Sequence, residues 1–125
     1  MPQDLIRRVL MKIDKNYLPY EYFERLELLK EVEVLEGVKI TKLPTSKGIY
    51  LVSILKPNTT IVEHYHNSNE FCYIKKGKII LNNKIELGEG DSFYFKPFET
   101  HKMFIVEESE MYIQLIKDDS IKGTR

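Results

Sequence analysis

The chain has 125 residues and a mass of 14.8 kDa, enough for one domain with a core and too little for two. Lys plus Arg come to 19 and Asp plus Glu to 19, so there is no excess positive charge on which nucleic-acid binding would rest. The 42% hydrophobic and 30% charged residues describe a chain that folds, while its apolar runs fall far short of the about 20 residues that cross a bilayer.

The opening stretch, MPQDLIRRVLMKID, is amphipathic, carries acids and leads to no small-residue cleavage site, so it does not read as a signal peptide. Leu5, Ile6, Val9, Leu10 and Ile13 recur at helical spacing between Asp4 and Lys15. From Tyr20 to about Lys30 a second helical stripe runs through Tyr22, Leu26 and Leu29. Pro19 sits at its first turn, and Glu21, Glu24 and Glu27 favour its N-terminal half. Residues 1–36 are therefore expected to be a helical segment that packs an apolar face on the rest or on a partner subunit.

The period changes to two from Glu31 onward, where Val32 and Val34 alternate with glutamates. Further strands are expected at Ile49–Leu55, Thr60–His66, Phe71–Lys75, Lys78–Leu81, Ile85–Leu87, Ser92–Phe95, Lys102–Val106 and Met111–Lys117. Turn residues punctuate them at Asn67–Asn69, Gly77, Asn82-Asn83, Gly88, Gly90 and Pro97, and Glu107, Glu108 and Glu110 read as a surface loop. Many short strands without intervening helices imply an all-β antiparallel sandwich or barrel. The barrel is expected over residues 37–118, with a polar tail at 119–125.

The three histidines are placed informatively. His64 and His66 stand two apart on a strand, so alternation turns both imidazoles to one face. A polar turn follows, and Glu70 opens the return strand, where it can lie opposite the pair. Two neutral imidazoles and a carboxylate can hold a divalent metal and leave positions open. His101 would complete the set if its strand lines the same cavity; a solvated outer face is the alternative for such residues.

The pattern His64-x-His66-x-x-x-Glu70 with Gly77, followed by Gly90-Asp91, Pro97 and His101, resembles the two motifs of the cupin superfamily, in particular the small single-domain RmlC-like cupins. The resemblance covers roughly residues 38 to 117. It implies a double-stranded β-helix, or jelly-roll barrel, behind an N-terminal helical segment. It assigns His64, His66, Glu70 and His101 as ligands of a divalent Fe, Mn, Ni, Zn or Co ion. Gly77 and Gly90 would be turn residues, and Pro97 would hold the bend leading to His101. The chain departs from the family pattern at Asn58, Glu99 and Ile105, which lie beside the motifs and remove no ligand.

If Glu70 points inward, so do Cys72 and Ile74, and if His101 points inward, so do Met103 and Ile105. Cys72 then reads as a small buried hydrophobe or a soft neighbour of the metal, and Gln114 lines the cavity only if Met111, Ile113 and Leu115 pack elsewhere. At most one of Tyr50 and Ser53 faces the cavity. The resemblance implies a metal-dependent enzyme acting on a small oxygenated metabolite, a sugar or carboxylate, by dioxygenase, isomerase, epimerase or lyase chemistry. The alternative is a non-catalytic metal- or small-molecule-binding module with a sensor role. No catalytic residue beyond the ligands and no organic cofactor is indicated. A small-molecule partner and a homodimer are expected, and no nucleic acid or membrane. A lone cysteine fits a reducing, cytoplasmic setting.

Overall fold

The computed structural model describes residues 17–117, so the expected helix over Asp4–Lys15 and the tail at 119–125 lie outside the described residues. A short helix, α1 (Tyr20–Glu24), precedes eight strands: β1 (Glu31–Leu35), β2 (Val38–Leu43), β3 (Ile49–Leu55), β4 (Thr60–His64), β5 (Asn69–Leu81), β6 (Ile85–Gly88), β7 (Ser92–Phe95) and β8 (His101–Ile116). Every strand pair is antiparallel. The chain is a mainly β antiparallel sandwich of jelly-roll type.

Two long strands organise it. The C-terminal half of β8 pairs with β3 and with the N-terminal half of β5, which in turn carries β7; β2 and β1 extend this layer beyond β3. The N-terminal half of β8 pairs with β4 and with the C-terminal half of β5, which carries β6. β5 and β8 thus run through both layers. The alternation of β3, Ile-Tyr-Leu-Val-Ser-Ile-Leu, buries every second residue, and Leu51, Leu55, Ile74, Ile79, Ile105, Met111 and Leu115 are the most enclosed apolar side chains between the layers.

Four expectations are corrected. The second helix is only Tyr20–Glu24, and its buried residues are Tyr20, Tyr22 and Phe23; Leu29 is exposed in a left-handed conformation (φ 62°) and the stripe through it does not form. The helix stops because the Lys42 ammonium donates to the Phe23, Glu24 and Leu26 carbonyls at 3.1, 2.8 and 3.1 Å, and Leu28 then bridges to Lys42 of β2. The sheet begins at Glu31, where the two-residue period sets in.

Thr60–His66 ends as a regular strand at His64, past an irregularity between Ile61 and His64. Gly77 is not a turn: β5 continues through it with shifted register. A Cβ at Gly77, which has φ 106°, would overlap Ser109. Residues 107–110 are likewise strand, not loop. Ser109 is fully buried, accepts the Lys78 N–H at 3.1 Å and donates to the Glu107 carbonyl at 2.8 Å, satisfying the bulge from the side chain. Asn58 (φ 65°) takes the left-handed conformation that asparagine tolerates.

Candidate metal centre

β4 with the residues just after it, β5 and β8 bring the four sequence-selected residues together. His64 pairs directly with His101 across β4 and β8, and Glu70 lies two residues into β5. The ring centroids of His64 and His66 are 5.0 Å apart, of His64 and His101 4.3 Å, and of His66 and His101 5.4 Å. One ligand-capable atom of each histidine falls within 4.8 Å of the others, so the trio could hold a metal ion. Glu70 Oε1 lies 3.1 Å from both His66 Nε2 and His101 Nε2.

Each imidazole is held by its far nitrogen. His64 Nδ1 donates to the Val62 carbonyl at 2.8 Å, His66 Nδ1 to the Leu18 carbonyl at 2.9 Å and His101 Nδ1 to the Glu99 carbonyl at 3.1 Å. An imidazole that donates from Nδ1 carries its lone pair on Nε2 when neutral, so all three rings present the same kind of donor atom. His66 Nε2, His101 Nε2 and Glu70 Oε1 are buried without an aligned hydrogen bond, although the pairs are at ion-pair distance. Three converging, unsatisfied polar atoms are costly in a protein interior. A divalent cation satisfies all of them at once, and the donor set of imidazole nitrogens and one carboxylate oxygen suits it.

The local electrostatics agree. Burial, helped by the neighbouring His101 and His66, pushes the His64 pKa down to about 4, so this ring is neutral at pH 7 and its lone pair is free. Burial opposes charge on Glu70, yet His66 and His101 hold its carboxyl well below the usual range. Burial also disfavours the charged form of His66, but the adjacent Glu70 carboxylate outweighs it and the pKa rises.

Cys72 faces inward with Glu70 and Ile74, while Phe71 and Tyr73 face outward, as alternation requires. Its thiol donates to Glu70 Oε2 at 3.5 Å, which leaves Oε1 for the histidines. Burial first, then the Glu70 charge, pushes the thiol pKa well above its usual value, so Cys72 stays protonated as a donor. Gln114 lies outside the cavity and donates to the Lys47 carbonyl at 3.3 Å; Met111 and Leu115 occupy the interior instead. Of Tyr50 and Ser53, it is Ser53 that lines the cavity.

One contact had no side-chain signal in the sequence. Leu18, ahead of α1, donates its N–H to the Tyr65 carbonyl at 2.9 Å and offers its own carbonyl to His66. Asn67 ties the helix to the same spot by accepting the Tyr20 N–H at 2.8 Å and donating to Glu21 at 3.3 Å. Leu18 and Phe23 also line the cavity, which has a volume of about 100 Å³. The N-terminal stretch from residue 17 is therefore part of the site and not an appendage to it.

The family model of the cupin domain matches residues 51–116, more than half of the chain, and the chain belongs to that family. Its fold is similar to KdgF from Halomonas sp. (TM-score 0.61, 15% identity, 74% of this chain and 92% of that one). It is similar to an RmlC-like cupin from Shewanella frigidimarina (TM-score 0.65, 15% identity, 75% and 88% covered). A predicted oxalate decarboxylase from Thermotoga maritima also resembles it (TM-score 0.59, 18% identity, 77% and 96% covered). No curated protein matches the chain in sequence. No helix among the described residues is long and apolar enough to cross a membrane.

Proposed function

We propose that the protein is a metal-dependent cupin enzyme acting on a small oxygenated molecule, with His64, His66, Glu70 and His101 as the ligands of one divalent ion. The observation that carries this reading is the convergence of His66 Nε2, His101 Nε2 and Glu70 Oε1 as buried atoms without aligned partners, beside the neutral ring of His64. A bound Fe, Mn, Ni, Zn or Co ion would supply Lewis-acid chemistry to an oxygen of the substrate or, for iron, activation of O₂. The chain supplies the rest. The Val62, Leu18 and Glu99 carbonyls aim the three rings, and the Cys72 thiol orients Glu70. The apolar wall keeps bulk water from the reacting centre.

The similarity to a predicted oxalate decarboxylase supports a carboxylate-type substrate. A sensor module is the second reading, favoured by one observation: the Leu18 carbonyl ahead of α1 accepts from His66 Nδ1, a contact through which occupancy of the site would reach the N-terminal stretch. We further read the protein as a cytoplasmic homodimer whose subunits meet through the exposed aromatic strip of β5 and β7, where Phe71 and Tyr94 stack at 4.8 Å. The buried, unpaired Cys72 is compatible with a reducing compartment.

The test is metal content per chain by elemental mass spectrometry on untagged protein, beside the His64→Ala/His101→Ala variant. About one ion per chain, lost in the variant, is the expected result. Wild-type protein that holds none of the five metals after reconstitution overturns the reading. Iron directs the next assay to O₂ consumption, and zinc, nickel, manganese or cobalt to isomerase or lyase reactions. Sustained turnover separates the enzyme from the sensor.

A further inference from the structure

The cavity that contains His64, His66 and Glu70 is otherwise a hydrocarbon chamber. The rest of its described wall is Leu, Ile, Val, Met and Phe side chains plus the single hydroxyl of Ser53. No lysine or arginine, and no amide, threonine or tyrosine side chain, lines it among the described residues. The walls come from β1, β2 and β3 on one side and from β8 on another, so the apolar character belongs to the barrel interior itself.

Three consequences follow for an occupant, given the metal-centre reading on which they rest. The first concerns polarity. A polyhydroxylated molecule would bury hydroxyls against a wall that offers one partner, and each unanswered group costs roughly tenfold in affinity.

The second concerns charge. A divalent ion on three neutral imidazoles and one carboxylate has a net charge of +1, which a monoanion cancels. A second anionic group would be buried with no cation to meet it. The third concerns size. A volume of about 100 Å³ admits a small molecule and no large one.

We propose that the site takes an amphipathic monoanion, with one carboxylate-type head at the histidine–glutamate cluster and a short apolar body along the barrel interior. Sugars, phosphorylated metabolites and dicarboxylates are rejected by the same wall.

The experiment is calorimetric titration of the full chain loaded with Co(II), using acetate, butanoate, hexanoate and octanoate, then adipate, gluconate and oxalate. Affinity is expected to rise about fourfold per methylene over the shorter members of the series and to stop rising once the chain exceeds the capacity of the cavity. Adipate and gluconate are expected to bind about 100-fold more weakly than hexanoate. A change in the visible Co(II) spectrum on adding hexanoate places the head on the metal and separates this site from adsorption to the outer aromatic strip.

A flat chain-length series, an unchanged spectrum, or tighter binding of adipate, gluconate or oxalate overturns the proposal while leaving the metal centre standing. A metal-free arm keeps the two readings apart: 1-hexanol is expected to raise the melting temperature of the metal-free chain and glucose to leave it unchanged. If Co(II) does not load, the metal reading falls, and stabilisation by hexanol in that arm still supports the apolar chamber, whereas its absence overturns it.

Discussion

Phe95 and His101 lie ring on ring, with centroids 3.9 Å apart and planes 5° from parallel. The imidazole is thereby clamped on its face by β7 and at its edge by the Glu99 carbonyl, which accepts from Nδ1. Phe95→Leu removes the flat surface but keeps most of the volume. Metal affinity, measured by competition with a chromogenic chelator, is expected to fall about tenfold, with a stability cost near 1 kcal/mol. Unchanged affinity would show that the backbone contact alone aims the ring.

Glu70 and Cys72 offer a complementary test. Cys72→Ala removes the thiol donor on Oε2 and frees the carboxylate to rotate. Metal affinity should drop about 10-fold or more, and Cys72→Ser, which keeps a donor, should recover part of it. In the native wild-type protein the thiol should not react with Ellman's reagent because Cys72 is 3% exposed, and one equivalent should react in denaturant.

The stretch before α1 can be probed by where the chain is made to begin. A chain starting at Tyr17 keeps the Leu18 carbonyl that holds His66, and a chain starting at Tyr20 loses it. The shorter chain is expected to bind metal about 10–100-fold more weakly, read by the same chelator competition. Equal affinity in the two would mean that Leu18 is a bystander.

Gly77 is where β5 crosses the bulge against Ser109. Gly77→Ala must place a methyl into Ser109 and hold φ near 106°. Denaturant titration should show a loss of about 2–4 kcal/mol. Gly90 is also at positive φ, but a methyl added there meets nothing within 4 Å, so Gly90→Ala should lose only the backbone part, about 1 kcal/mol.

Alkaline stability is expected to depend on Tyr22. Burial raises its pKa from 10.0 to about 12 in the folded state. The folded value lies above the unfolded one, so the full stability is present below pH 10 and is lost as pH rises from 10 toward 12. Melting temperatures measured across that range should fall, and Tyr22→Phe should flatten the fall.

The four polar residues of the cluster were legible in the sequence because strand alternation and ligand chemistry act locally: His64 and His66 share a face, and Glu70 follows one short turn. Their mutual approach depended only on β8 lying beside β4 and β5. The partners of those residues were not legible. Leu18 acts through a backbone carbonyl, which every residue possesses, and Lys42 caps α1 from 16 to 19 residues away. The helical stripe through Leu26 and Leu29 failed because three carbonyl contacts from Lys42 end the helix before propensity can extend it. Gly77 and the Glu107–Glu110 stretch have the composition of turns, yet a bulge uses the same residues while the ladder carries on.

The pairing of β8 with β3, β4 and β5 has a consequence for how the molecule is made. During synthesis from the N-terminus, three strands wait for a neighbour that leaves the ribosome after all of them. His101 is in that last strand, whereas the Leu18 carbonyl that steadies His66 emerges among the earliest of the described residues. Until β8 has emerged and paired, at most two of the three imidazoles stand together, so a three-histidine centre would open to an ion only once the two layers have closed.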